Sequence, residues 1–167
     1  GFDDAILFSS GYTANLGVIS GLIRPDNIII HDKLDHASLL DGTVMSGAKM
    51  LRYKHKDIKS LERLLAENSS TYLNKILVVT DGVFSMDGDI ADIPGILEVT
   101  RKYGALLLID EAHATGTVGA KGAGTLSYFG ISEHNDIIVT GTLSKAIGTV
   151  GGYITASQEI IDYLRIY

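Results

Sequence analysis

Lys145 stands in the run Thr140-Gly141-Thr142-Leu143-Ser144-Lys145-Ala146-Ile147-Gly148, directly after the apolar stretch Asp136-Ile137-Ile138-Val139. A buried strand that delivers a lysine into a Gly/Thr/Ser loop places an amine where its surroundings can lower its pKa, and such an amine attacks carbonyls. An ordinary loop lysine is the structural alternative. Phe8-Ser9-Ser10-Gly11-Tyr12-Thr13-Ala14-Asn15 follows another apolar run and opens a helical pattern. Its free backbone N–H groups and positive dipole end suit a phosphate, and the alternative is a plain turn capped by Ser9 or Ser10.

Two further clusters also follow apolar runs. Ile30-His31-Asp32-Lys33-Leu34-Asp35-His36-Ala37-Ser38 carries histidines five residues apart, with the chain changing from strand to helix between them. Shared metal ligation would be accidental at that spacing, and no metal is expected. His36 reads either as a helix cap or as a flat ring able to stack on an aromatic ligand. Leu108-Ile109-Asp110-Glu111-Ala112-His113-Ala114-Thr115-Gly116 spells an Asp-Glu-Ala-His box, but an ATPase also needs a phosphate loop containing Gly-Lys. The sequence contains no Gly-Lys dipeptide. A carboxylate at the end of a buried strand therefore needs another partner, and a protonated pyridine nitrogen is a good one. Amine, anion pocket, flat ring and carboxylate together suit pyridoxal phosphate (PLP). The loop Thr80-Asp81-Gly82-Val83-Phe84-Ser85-Met86-Asp87-Gly88-Asp89 lacks the alternating ligands and closing glutamate of a calcium loop.

The elements that must position these groups alternate in type. Ala5 to Phe8, Asn27 to Ile30, Lys75 to Val79 and Ala105 to Ile109 read as buried strands. Asp57 caps a helical pattern with Ile58, Leu61, Leu64 and Leu65 on one face, and Asp92 to Tyr103 repeats the logic before Gly104 stops it. The alternation predicts an α/β fold, a mostly parallel sheet flanked by helices, with ligands gathered where strands end. Gly152-Tyr153-Ile154-Thr155-Ala156 follows Val139 after too few residues for a parallel crossover, so the last strand is expected to be antiparallel. Pro25 reads as a turn residue and Pro94 as a first-turn helix residue.

Length and composition set outer bounds. The 167 residues, 46% hydrophobic and 20% charged, suit one globular core. A net charge of -6 without a basic cluster argues against a nucleic-acid surface, and the short apolar runs against a membrane span. Zero cysteines removes disulfides and thiolate metal sites, which suits a cytoplasmic location. Both ends run straight into structured patterns, Ile160 to Tyr167 reading as a helix that simply stops. The segment 1–167 is accordingly expected to be the cofactor-binding large domain of a longer chain.

Five motifs in order carry a resemblance: Ser10-Gly11-Tyr12-Thr13-Ala14-Asn15, Asp35-His36-Ala37-Ser38, Asp81-Gly82-Val83-Phe84-Ser85-Met86-Asp87-Gly88, Asp110-Glu111-Ala112-His113 and Gly141-Thr142-Leu143-Ser144-Lys145-Ala146. The chain resembles the α-oxoamine synthases, a branch of the fold-type I PLP enzymes. The resemblance implies that Lys145 forms the imine with PLP and shuttles the substrate α-proton, and that Asp110 pairs with the pyridine nitrogen. It implies His36 stacked on one ring face and Ala112 on the other, Ser85 and His113 near the ring hydroxyl, and Gly11, Tyr12 and Thr142 around the phosphate. His36, where aminotransferases of this fold commonly carry a larger aromatic, favours the synthase branch. Such enzymes condense an amino acid with an acyl-CoA or acyl-carrier-protein thioester, releasing CO2, and work as homodimers with the site at the subunit interface. Asp110 to Gly116 and Arg52-Tyr53-Lys54-His55 point to the biotin-pathway members, which use alanine and a pimeloyl thioester. Glycine with acetyl-CoA, the substrates of another α-oxoamine synthase, or a noncatalytic partner subunit, is the alternative. The arginine that grips the substrate carboxylate in such enzymes has no counterpart here, which implies an incomplete enzyme.

Overall fold

A computed structural model describes residues 2–73 and 75–166. Seven strands form one sheet: β1 (Asp4–Phe8), β2 (Ile28–Asp32), β3 (Lys49–Tyr53), β4 (Ile76–Asp81), β5 (Leu106–Asp110), β6 (Ile137–Thr142) and β7 (Gly152–Ala156), in the spatial order β1-β7-β6-β5-β4-β2-β3. Only β7 runs against its neighbours, pairing antiparallel with both β1 and β6. The cause is the expected one, because residues 143–151 are too few to cross over. β1 consequently runs in the same sense as β6, and its carboxyl end opens on the same edge as those of the other five strands.

Helices cover both faces, which is why β2 and β4 are buried along their whole length. On one face, Ile28, Ile30, Val78, Leu107 and Ile109 pack against α3 (Ile58–Asn68) and α4 (Ile93–Lys102). On the other, Ile29, Leu77, Val79, Leu108, Ile138 and Ile154 pack with α1 (Gly11–Leu22), α2 (Ala37–Ser46) and α6 (Gln158–Ile166). Alternate residues of each strand thus feed opposite cores, each fully buried aliphatic side chain contributing about 1.5–3 kcal/mol. Of the expected final helix, residue 167 lies outside the described residues.

Local chemistry sets the helix starts. Ser10 caps α1 in a reciprocal capping box with Thr13, Asp57 caps α3 through the amide of Ser60 and Asp92 caps α4 through that of Gly95. Gly104 takes φ 65° after α4. Pro94 falls in the first turn. β3 is not among the strands expected from apolar runs. It is an edge strand in which Lys49 and Arg52 stay exposed, so its pattern is amphipathic and its hydrophobic signal weak.

Gly141 has a packing role. A Cβ there would overlap the ring and hydroxyl of Tyr153, which lies across β6 and pairs with Thr115 Oγ1 at 2.6 Å. Gly141→Ala is expected to cost about 1–3 kcal/mol of unfolding free energy, as overpacked sites do, measured by urea denaturation. An unchanged midpoint would show that the Tyr153 ring is free to move aside.

Candidate active site at the strand ends

The carboxyl ends of β1, β2, β4, β5 and β6 surround a cavity of about 250 Å³. β1 supplies Ser10, Gly11 and Tyr12 through the start of α1, and the turn after β2 supplies His36 and Ser38. β4 ends in Asp81, β5 in Asp110 followed by Ala112 and His113, and β6 in Thr142 followed by Ser144 and Lys145. Asn15 completes the wall from the second turn of α1. Eight of the nine residues singled out from the motifs therefore converge.

Ser85 is the exception. It is exposed and absent from the cavity wall. Gly88 N donates to Phe84 O and Phe84 N to Asp89 O, which closes the turn on itself while the Phe84 side chain enters the core. The expected contact with a ring hydroxyl is thus not formed by this conformation.

Asp110 is 6% exposed, yet both carboxylate oxygens have donors: Asn15 Nδ2 at 2.6 Å on Oδ2 and Ala112 N at 2.9 Å on Oδ1. Its chain neighbour Glu111 points away and accepts from the Thr125 amide and hydroxyl. Gly82 and Gly124 make room for it, since a Cβ at either would press on the Glu111 carboxylate. Successive residues thus take opposite faces, one toward chemistry and one toward structure.

His36 takes the cap reading and also lines the cavity. It is the N-cap of α2, its Nδ1 accepting from Ser38 N at 3.3 Å and lying 2.7 Å from Ser38 Oγ, while its ring also faces the cavity. His31 is committed elsewhere. Buried, it bonds Asp35 at 2.9 Å and Thr43 at 2.8 Å, and burial foremost, then the Arg52 charge, hold its pKa down to about 3.

Lys145 Nζ lies 2.8 Å from His113 Nε2. Burial first, then the Lys145 charge, lower the His113 pKa. Thr142 Oγ1 accepts from Ser144 N and donates to Gly151 O, bracing the lysine loop. Opposite it, a Cβ on Gly11 would approach Thr142 Cβ to 2.9 Å, so glycine is required for α1 to begin this close to β6. The first-turn amides of α1 lack intrahelical acceptors, and Ser10 Oγ takes that of Thr13.

Asn15 and Asp81 are site residues that motif reading passed over. Asn15 is a polar residue between the buried Ala14 and Val18, and a buried amide inside a helix must find partners. That was its only signal. Outside the cavity, His55 bridges Asp32 and Asp89, and Lys56 pairs with Asp89 at 2.8 Å.

The profile of class I and II aminotransferases matches residues 2–167. The chain belongs to that family. Among curated members, 8-amino-7-oxononanoate synthase of Methylococcus capsulatus is 49% identical over 160 residues, covering 96% of this chain and 41% of that protein. The synthase of Geotalea daltonii is 48% identical, covering 98% and 41%. Among solved structures, a serine palmitoyltransferase variant of S. paucimobilis with a bound PLP-myriocin aldimine superposes with a TM-score of 0.90 at 37% identity, covering 99% of this chain and 41% of that one. The 8-amino-7-oxononanoate synthase of Francisella tularensis gives 0.82 at 35%, covering 99% and 47%. This aminotransferase-family chain therefore spans about two-fifths of the length of its curated relatives, and the α-oxoamine synthase resemblance of its motifs is confirmed by them. Among its described residues no helix is long and apolar enough to cross a membrane.

Burial first, then the charge of Asp110, push the Asp81 carboxyl up to about 8, against about 3.9 for a solvated aspartate. The native state then holds a proton that the unfolded chain releases, so this contribution to stability is full below about pH 4 and lost as pH rises through about 8. The urea midpoint of the ligand-free wild type is expected to fall more steeply than that of Asp81→Asn between about pH 5 and about pH 8. Parallel slopes would mean that Asp81 is already ionised in the native state.

Proposed function

We propose that residues 1–167 form the PLP-binding large domain of a longer polypeptide that condenses an amino acid with an acyl thioester, releasing CO2. The reaction we assign is that of 8-amino-7-oxononanoate synthase, alanine with a pimeloyl thioester, in biotin biosynthesis. The observation that carries the reading is the convergence of the Lys145 amine, the Asp110 carboxylate and the His36 imidazole on one cavity beside the start of α1. Identities of 44–49% to curated synthases over nearly the whole chain support the choice of acyl transfer.

The donor set suits PLP. A carboxyl group held by two donors matches a protonated pyridine nitrogen, an imidazole in the cavity wall matches a ring face, and the glycine-opened helix start matches a phosphate. When bound, PLP supplies an aldehyde for an amine and a pyridinium ring that accepts electrons from a breaking Cα bond. Lys145 Nζ would be the amine that holds it and the base that moves the proton at the substrate Cα. Asp110 would keep the proton on the ring nitrogen, with His36 and Ala112 on the ring and His113 near its hydroxyl. Gly11, Tyr12 and Thr142 would hold the phosphate.

The same reading makes the protein a cytoplasmic homodimer. Leu7, Val44, Met45 and Val150 are exposed apolar groups that a second subunit would cover. Recognition of the substrate carboxylate we assign to residues beyond this segment.

Adding PLP to the intact polypeptide is expected to produce a visible absorption band that alanine perturbs, and turnover is expected to be fastest with alanine and a pimeloyl thioester. Faster turnover with glycine and acetyl-CoA would reassign the substrates. The isolated segment is expected to bind PLP weakly and to turn nothing over, because an unanchored amino acid loses the orientation of its breaking bond. Segment turnover near the intact rate would place carboxylate binding inside residues 1–167. Asp110→Asn is expected to retain PLP while exchange of the alanine α-proton into deuterated water slows at least about tenfold, one pKa unit's worth. Undiminished exchange would give the ring nitrogen a different partner.

A further inference from the structure

Asn15 is 2% exposed and uses its side-chain amide completely. Its amide nitrogen faces Asp110, donating to Oδ2 at 2.6 Å. Its second hydrogen serves Ser38 Oγ at 2.8 Å, and its carbonyl accepts the Thr140 hydroxyl at 2.6 Å. The direction of the next link follows. Ser38 Oγ, already accepting from Asn15, turns its own hydrogen to His36 Nδ1 at 2.7 Å. Nδ1 also accepts the Ser38 amide, so the His36 ring proton sits on Nε2.

One amide thus ties α1 to β5, β6 and the start of α2. We propose that Asn15 is a positioning residue that fixes Asp110 directly and His36 through Ser38, setting the ring-nitrogen partner and the stacking ring at one spacing. This rests on the cavity being a PLP site. Among the described residues Asp110 has two donors, Asn15 and the Ala112 amide, one on each oxygen. Loss of either frees the carboxylate to rotate about its own bond. The charged or titratable groups whose fields Asp110 meets are Asp81, Asp35, Glu111, His113 and Tyr153, with Lys145 across the cavity. Asp81 stands beside it at the register position on β4 that pairs with Asp110.

The test uses the intact polypeptide loaded with PLP labelled with nitrogen-15 in the ring, read by NMR across pH, together with the PLP dissociation constant. Asn15→Ala is expected to lower the ring-nitrogen pKa by about one unit and to raise the dissociation constant about tenfold. Thr140→Val keeps the amide but frees its carbonyl, and is expected to move both readings the same way by less. A lower melting temperature for Asn15→Ala with an unmoved nitrogen titration would reduce Asn15 to helix packing and overturn the proposal. Should Asn15→Ala fail to fold, Thr140→Val decides on the same two readings, and a silent result there overturns it. Asp110→Asn separates the levels. If it shifts the ring nitrogen while both other variants are silent, only the positioning role falls. If the wild type binds no PLP, or Asp110→Asn leaves the ring nitrogen unmoved, the site reading fails and the proposal falls with it.

Discussion

Five carboxyl groups, Asp32, Asp35, Asp81, Asp110 and Glu111, are buried where β2, β4 and β5 end. Burying that much potential negative charge is the constraint around which this end of the molecule is built, because an unpaired buried carboxylate costs several kcal/mol. Each has its own answer. Asp32 accepts from Leu34 N, Lys56 N and the His55 ring, and Glu111 accepts from Thr125. Asp35 is pushed well above the usual carboxylate range, mainly by burial, and meets the His31 ring at 2.9 Å. Asp81 is pushed up to about 8. Asp110 alone combines a buried carboxylate held by two donors with a place in the cavity wall.

That arrangement needs the topology around it. Parallel strands with both faces covered give a row of carboxyl ends at one edge, and the antiparallel β7 lets β1 join the row from the far side of β6. The start of α1 and the lysine loop then meet across Gly11 and Thr142. Gly152 fits the same squeeze, since a Cβ there would overlap the Ser10 carbonyl. The start of α1 and the amine are therefore neighbours because small residues stand where two backbones approach. Lys145 itself is exposed, held over the cavity by its contact with His113 rather than by burial.

Much of this was legible in the chain. Apolar runs of four or five residues marked β1, β2, β4 and β5, and the short connection after β6 disclosed the reversal of β7, since both depend on local pattern and chain length. Strand ends were less legible. β2 continues through His31 and Asp32, and β4 through Thr80 and Asp81, because partners off the strand satisfy polar groups there, His31 bonding Asp35 and Thr43 and Asp32 accepting from Lys56 N. The same limit hid Asn15, whose partners Asp110 and Thr140 lie 95 and 125 residues away. β3 escaped notice because an edge strand needs only half an apolar pattern. Ser85 stands exposed outside the cavity wall for the converse reason: motif order fixes neighbourhood in sequence, while the backbone hydrogen bonds of the Phe84 to Asp89 turn set where the chain carries it.

The central claim, that the amine after β6 and the carboxylate after β5 were brought together to hold one aldehyde-bearing ring, meets its most direct test in covalent mapping. The intact polypeptide is saturated with PLP, reduced with borohydride, digested and sequenced by mass spectrometry. The account predicts a single stoichiometric adduct on Lys145, lost in Lys145→Ala with the fold intact. A stoichiometric adduct on another lysine, or none at saturating PLP, would contradict it.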